Sequence, residues 1–86
     1  MSLFQTNINA IVSGLYAHGI ADVVISPGSR NAPIIMSFVR HPHFQCWSVP
    51  DERSAGFIAL GMAKAQQKPV VLLCTSGSAL VNYYPA

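Results

Sequence analysis

The first hydrophobic positions of the chain recur at intervals of three and four residues, at Ile8, Ile11, Val12 and Leu15. That spacing puts apolar side chains on one face of a helix. Thr6 or Asn7 is suited to cap the start of this helix, which we expect to run to about Ala17. Gly19 follows closely, and glycine readily takes the left-handed conformation found just after a helix.

Three short runs then predict strands, at residues 22–26, 43–49 and 70–74. The last run is apolar without interruption, which is typical of a strand covered on both faces. Helical patterns separate the runs, and a further helix is predicted after the last one; the helical segments are residues 32–40, 52–65 and 75–82. Alternating helices and strands favour a parallel sheet with right-handed crossovers. We therefore predict the α/β class, in three α/β/α layers around a parallel sheet.

Each predicted strand leads into a polar turn, at residues 27–31, 50–53 and 75–78. Ligands of parallel α/β sheets bind beyond the carboxyl ends of the strands, where these turns lie. The first turn sets Gly28 and Arg30 before a helix N-terminus, an arrangement suited to an anion. The second holds Glu52, the single glutamate of the chain. On pattern alone, Glu52 is either a working carboxylate or a surface carboxylate stabilised by the helix dipole.

The helix starts and the glycines predict further detail. Ser29 or Asn31 is suited to cap the second helix, and Asp51 the third. Glycine costs about 1 kcal/mol against alanine inside a helix. Gly56 and Gly61 in the third helix therefore predict close packing against another backbone or a ligand.

Other reactive residues have simpler interpretations. Ser76 fits a helix cap better than a nucleophile, because no His–Asp partner is evident. His41 and His43 are interpreted as loop residues rather than a metal pair. Cys46 and Cys74 fall in predicted buried strands, so we expect them to be reduced core cysteines.

Composition narrows the class of protein. Of the 86 residues 51% are hydrophobic and only 9% are charged, against about 25% charged in ordinary soluble domains. So few charges indicate that much of the surface is covered, and we expect the chain to be a piece of a larger protein. Its five Lys and Arg residues are scattered, which argues against a nucleic-acid surface. No apolar run is long enough for a membrane span, and no leader is evident, so we expect a cytoplasmic protein.

Three stretches carry a resemblance to a known family: ISPGSRNAP at residues 25–33, DERSAGFIALGMAK at 51–64 and CTSGSAxxNYYPA at 74–86. Together they resemble the start of the pyrimidine-binding (PYR) domain of thiamine-diphosphate enzymes. Within that superfamily they are most similar to the MenD family of menaquinone-pathway synthases. The match implies that residues 1–86 are the N-terminal portion of a PYR domain, truncated before its remaining strands.

The resemblance also implies an activity. MenD synthases decarboxylate 2-oxoglutarate on thiamine diphosphate and add the succinyl-semialdehyde carbanion equivalent to isochorismate. Glu52 matches the catalytic glutamate that hydrogen-bonds the aminopyrimidine of the cofactor. Ser29 and Arg30 match substrate-side residues, and Arg30 is expected to meet a substrate carboxylate. The cofactor-side turn is matched by Thr75, Ser76 and Gly77.

In this family, metal and diphosphate ligands lie in a domain that this chain lacks, so Mg²⁺ (or Mn²⁺) is expected there and no metal ligand is predicted here. The complete enzyme is expected to be a homodimer or homotetramer, and the 86-residue chain alone is expected to be inactive. Two alternatives stay open at this point. One is another thiamine-diphosphate-dependent lyase that acts on a different 2-oxo acid. The other is a non-catalytic α/β module that binds an anion at the first turn.

Overall fold

The computed structural model describes residues 3–28, 31–75, 82–83 and 85–86 of the chain. The helices and strands, in order, are α1 (Leu3–Ala17), β1 (Asp22–Ile25), α2 (Ala32–Arg40), β2 (Gln45–Ser48), α3 (Glu52–Gln66) and β3 (Val71–Leu73). This order is the predicted one. The helix predicted over residues 75–82 falls mostly on residues outside the described ranges.

The three strands form one parallel sheet in the order β2-β1-β3, so that β1 lies in the middle. Val23 of β1 pairs with Cys46 on one side and with Val71 on the other. Val23 and Val24 are completely buried. The sheet is therefore anchored on β1, and its two neighbours are edge strands within the described part of the chain.

Alternate residues of β1 face opposite layers of the fold. Val23 and Ile25 pack with Val12 of α1 and Phe38 of α2. Val24 points to the other face and packs with small residues of α3, Ala55 and Ala59. These two clusters confirm the three-layer α/β/α arrangement.

Two details differ from the prediction, and one agrees with it. Helix α1 begins at Leu3, so Thr6 and Asn7 lie within it and do not cap it; the residues before Thr6 contain no glycine or proline that would stop the helix. No described heavy atom lies within 4 Å of a Cβ built on Gly61, so the close packing predicted there is absent among the described residues. Gly19 does end α1, with φ of 86°.

The burial expected for Cys46 is wrong. All four residues of β2 are exposed, because β2 lies at the sheet edge while α3 packs on β1 and β3. Cys74 is half-buried, and so is every residue of β3. In the described chain β3 is likewise an edge strand, which explains why its uninterrupted apolar run is covered only in part. No helix among the described residues is long and apolar enough to cross a membrane.

Candidate functional site at the carboxyl edge of the sheet

Ser26 joins the carboxyl ends of all three strands. Its backbone N–H donates to the carbonyl oxygen of Leu73 at 2.9 Å. Its hydroxyl donates to the carbonyl oxygen of Val49 at 2.8 Å, and the N–H of Val49 donates to the carbonyl of Ile25, also at 2.8 Å. Ser26 is completely buried, so these bonds form a fixed floor beneath the three turns.

Asn31 shapes the first turn. It occupies the N-cap position of α2 but makes no capping hydrogen bond with its side chain, contrary to the role predicted for it. The side-chain Nδ2 donates to the carbonyl of Ser26 at 3.2 Å, and Oδ1 accepts from the N–H of Gly28 at 2.9 Å. Asn31 is buried and therefore closes the turn back onto the end of β1, where both of its polar groups find partners. Ser29, the alternative cap, lies outside the described residues.

Gly28 brings the first turn against the third. A Cβ built on Gly28 would overlap the Cγ2 methyl of Thr75. Its φ is not positive, since Gly19 is the described glycine with a positive φ. Glycine is needed here because the Thr75 side chain occupies the space that any larger residue would fill.

Asp51 caps α3, as its position predicts. Its Oδ2 accepts hydrogen bonds from the N–H of Ser54 at 3.1 Å and from the Ser54 hydroxyl at 2.7 Å. These bonds, with a smaller contribution from the Arg53 charge, hold the pKa of Asp51 below its ordinary value. The cap fixes the start of α3, and Glu52 is the first residue of that helix.

Glu52 stands at the edge where the turns meet. It is half-buried, and its carboxylate receives no hydrogen bond from any residue that the structure describes. The N-terminus of α3 is already capped by the preceding residue, Asp51. The Glu52 carboxylate lies where the helix N-terminus offers partial positive charge.

Tyr83 is a residue of this site that the sequence did not reveal. Its hydroxyl donates to the carbonyl oxygen of Leu73 at 3.3 Å, and its ring lies 3.4 Å from a Cβ built on Gly56. Burial raises the pKa of Tyr83; the neighbouring Cys74 and Glu52 act in the same direction, while the Ser26 hydroxyl opposes them. The one signal in the sequence was Gly56, whose predicted close packing is confirmed: a Cβ there would lie 3.2 Å from the Cβ of Ala86 and 3.4 Å from the Tyr83 ring.

Glu52 and Thr75 are the predicted site residues that the structure describes, and both belong to turns at the same edge. Ser29, Arg30, Ser76 and Gly77 lie outside the described residues. No group of three or more His, Cys, Asp or Glu side chains that could hold a metal occurs in the described part of the chain. A cavity of about 240 Å³ lies elsewhere, between α1 and the C-terminal end of α2, and is lined in part by Ser13, Ser37 and Arg40.

Comparison with known proteins adds a family to this geometry. Residues 6–86 match the family described as "Thiamine pyrophosphate enzyme, N-terminal TPP binding domain". Several curated relatives that carry the name 2-succinyl-5-enolpyruvyl-6-hydroxy-3-cyclohexene-1-carboxylate synthase are similar to the chain, and three of them serve as examples. The protein from Cytophaga hutchinsonii is 64% identical over 84% of this chain. The one from Staphylococcus saprophyticus is 58% identical over 88%, and that from Flavobacterium johnsoniae 54% over 90%. The chain spans only 13–14% of the length of these relatives.

Proposed function

Since this chain belongs to the thiamine pyrophosphate enzymes and matches their N-terminal TPP-binding domain, we propose that it forms the N-terminal portion of the PYR domain of a menaquinone-pathway synthase. The proposed reaction decarboxylates 2-oxoglutarate and adds the remaining four-carbon unit to isochorismate. The similarity to named synthases at 54–64% identity supports this choice. The observation that carries it is the carboxylate of Glu52, held at the carboxyl edge of the sheet without a hydrogen-bond partner among the described residues.

The described edge fits thiamine diphosphate on its pyrimidine side. The floor made by Ser26 is rigid, and the Gly28–Thr75 contact fixes two of the three turns against each other. Glu52 supplies a carboxyl group beside them, a donor or acceptor suited to a ring nitrogen. We assign Thr75, with Ser76 and Gly77 from the same turn, to the cofactor. Bound thiamine diphosphate supplies the carbon centre at which a 2-oxo acid loses carbon dioxide.

The role of Glu52 in the proposal is to share a proton with N1′ of the aminopyrimidine. The cap fixes the backbone from which the Glu52 side chain extends, and a fixed backbone is one part of a preorganised site. Asp51 contributes by fixing the first turn of α3, so that Glu52 need not serve as the cap. Ser29 and Arg30 are assigned to the substrate, where the Arg30 guanidinium would pair with a carboxylate.

The remaining parts of the proposal concern the complete protein. Mg²⁺ or Mn²⁺ and the diphosphate group are assigned to a further domain, and the assembly to a homodimer or homotetramer in the cytoplasm. The similar synthases are several times longer than this chain, which supports a site completed by residues outside it. The alternative hypothesis is a thiamine-diphosphate lyase that uses the same cofactor as the proposed synthase but acts on another 2-oxo acid.

The test uses the whole protein that carries this domain, with thiamine diphosphate, Mg²⁺, 2-oxoglutarate and isochorismate. Glu52→Gln keeps the size of the side chain but removes its proton-sharing carboxyl group. We expect kcat to fall by a factor of about 100 or more, the usual contribution of a positioned acid–base group. The matched control is Asp22→Asn, because Asp22 lies at the start of β1 and accepts a hydrogen bond from the Trp47 ring N–H, a bond that asparagine can also accept.

We expect the Asp22→Asn protein to keep the wild-type rate. An unchanged rate for Glu52→Gln would refute the role given to Glu52. Competition among 2-oxo acids on the same wild-type protein distinguishes the synthase from a thiamine-diphosphate lyase with another substrate. Preference for another 2-oxo acid over 2-oxoglutarate would favour the lyase.

A further inference from the structure

Tyr83 connects the helix that carries Glu52 to the strand that leads into Thr75. Its ring lies against Gly56 of α3, where a Cβ would be 3.4 Å from the Cδ1 atom of Tyr83 and 3.7 Å from its Cα. Its hydroxyl reaches the carbonyl oxygen of Leu73 at the end of β3. One side chain therefore connects the helix that begins at the candidate site, α3, with a strand that ends there, β3.

The contact with α3 lies on the face that bears Glu52. Residues four apart in a helix are neighbours on one face, and Glu52 and Gly56 are four apart. The Glu52 charge is also one of the smaller causes that raise the pKa of Tyr83. A Cβ on Gly56 would lie at van der Waals distance from the ring and nearer still to the Cβ of Ala86, at 3.2 Å, so the ring and the last residue of the chain both pack on this part of α3.

The contact with β3 is made to the carbonyl oxygen of Leu73, which also accepts the hydrogen bond from Ser26. The Leu73 oxygen accepts from the Ser26 N–H at 2.9 Å and from the Tyr83 hydroxyl at 3.3 Å, which matches the two lone pairs of a carbonyl. Because burial, Cys74 and Glu52 together raise the pKa of Tyr83, its hydroxyl stays protonated at neutral pH. It therefore remains a hydrogen-bond donor to the carbonyl oxygen of Leu73.

We propose that Tyr83 is a positioning residue, which sets the placement of Glu52 relative to the Thr75 turn by packing on Gly56 and bonding to the Leu73 carbonyl. The inference rests on the proposed function, in which both of those turns meet the pyrimidine of thiamine diphosphate. Tyr83 itself touches no reacting atom. It acts through Glu52, since a misplacement of about 1 Å in a catalytic group can cost about 100-fold in rate.

The experiment compares Tyr83→Phe with the wild-type whole protein. Phenylalanine keeps the ring on Gly56 and removes the hydroxyl that bonds to Leu73. The matched control is Tyr16→Phe, because Tyr16 lies on α1, more than a third exposed, and stacks on His43, remote from the strand ends. The Kd of thiamine diphosphate is measured by calorimetry, and kcat and thermal unfolding are measured beside it.

We expect Tyr83→Phe to weaken thiamine diphosphate binding about tenfold and to lower kcat by a similar factor, within the range of a shifted catalytic group. Tyr16→Phe should leave both values unchanged. The decisive readout is the same substitution made in Glu52→Gln. If Tyr83 acts through Glu52, Tyr83→Phe changes the Kd of that variant less than about twofold, because the two effects are not additive.

Two results would overturn the inference. One is a Tyr83→Phe protein with wild-type Kd and kcat. The other is the same tenfold loss of affinity in both backgrounds, which would show a structural effect independent of Glu52. Failure of the proposed function gives a different pattern, in which Glu52→Gln alone binds thiamine diphosphate and turns over like the wild type.

Discussion

At the scale of single residues, the site depends on close approaches that only small side chains permit. The Thr75 methyl fills the space beside Gly28, and the Ser26 hydroxyl reaches across to the Val49 carbonyl. Neither interaction involves a charge, and both bring together backbone segments that are distant in sequence. The placement of the reactive groups therefore rests on residues that are themselves unreactive.

The substitution Gly28→Ala tests the first of these approaches. The added Cβ would overlap Thr75 and force the first and third turns apart, which we expect to cost about 1–3 kcal/mol of unfolding free energy, as overpacking does. Chemical denaturation of the whole protein measures the loss, and calorimetry should show weaker binding of thiamine diphosphate.

The control for that substitution is Gly14→Ala in α1, where a Cβ meets no described atom within 4 Å. Alanine is the better helix former by about 1 kcal/mol, so this variant should be as stable as the wild type or more so. Equal effects of the two substitutions would contradict the steric reason for Gly28.

At the scale of elements, helix α3 and its cap combine three tasks within a few residues. Its small residues Ala55 and Ala59 pack on Val24 of β1. Its first residue is Glu52, and its N-cap Asp51 binds Ser54. The division between cap and reactive carboxylate matters, because a glutamate engaged in capping would be unavailable to a ligand.

The Asp51 cap predicts a pH dependence. The pKa of Asp51 is lower in the folded protein than its ordinary value, so the folded state binds this proton less well than the unfolded chain does. The stabilisation is complete above the unfolded-state pKa of about 3.9 and is lost as the pH falls through the folded-state pKa. We expect the difference in unfolding temperature between wild type and Asp51→Ala to be constant near neutral pH and to shrink in acid.

Thermal unfolding of both proteins across this acid range measures the effect. Asp51→Asn is the informative comparison, since asparagine caps helices about as well as aspartate but does not titrate. Its stability should lack the acid-dependent part. A gap between Asp51→Ala and wild type that stays constant through the acid range would rule out the cap as its source.

The elements show where sequence patterns succeed and fail. The spacing of apolar residues is a local signal, and it correctly predicted the order of helices and strands. Residue type, also local, correctly predicted the end of α1 at Gly19 and the cap at Asp51. The exposure of Cys46 depends on which strand lies at the sheet edge, and the contact of Tyr83 with Gly56 joins residues distant in sequence. Both are set by tertiary packing, which no local pattern records. The placement of Glu52 at the strand edge was predictable because parallel sheets gather their carboxyl ends.

At the scale of the whole molecule, large apolar side chains remain on the outer surfaces of the described chain. Ile11 of α1 is 63% exposed, Val39 of α2 57%, and Phe57 of α3 47%. Only 9% of the residues are charged. The relatives that resemble the chain are much longer than it, and a longer protein has further domains with which to cover such surfaces.

The 86-residue chain by itself is predicted to be inactive. In the proposed function, the metal and the diphosphate group are assigned to a further domain, and the chain spans only 13–14% of the length of the similar synthases. We expect no release of carbon dioxide from 2-oxoglutarate by the purified chain with thiamine diphosphate and Mg²⁺, under conditions in which the whole protein is active. Turnover by the isolated chain would contradict this.

The central position of β1 has a consequence for the order of assembly during synthesis. Residues 22–48 contain β1, α2 and β2, and they can complete their parallel pairing before β3 has left the ribosome. The chain emerges N-terminal end first, so we expect β3 to pair after β1 and β2, with the bond from Ser26 to Leu73 forming at that step. We therefore expect a substitution in β3 to disturb one strand pairing, whereas one in β1 should disturb the pairing of both of its neighbours.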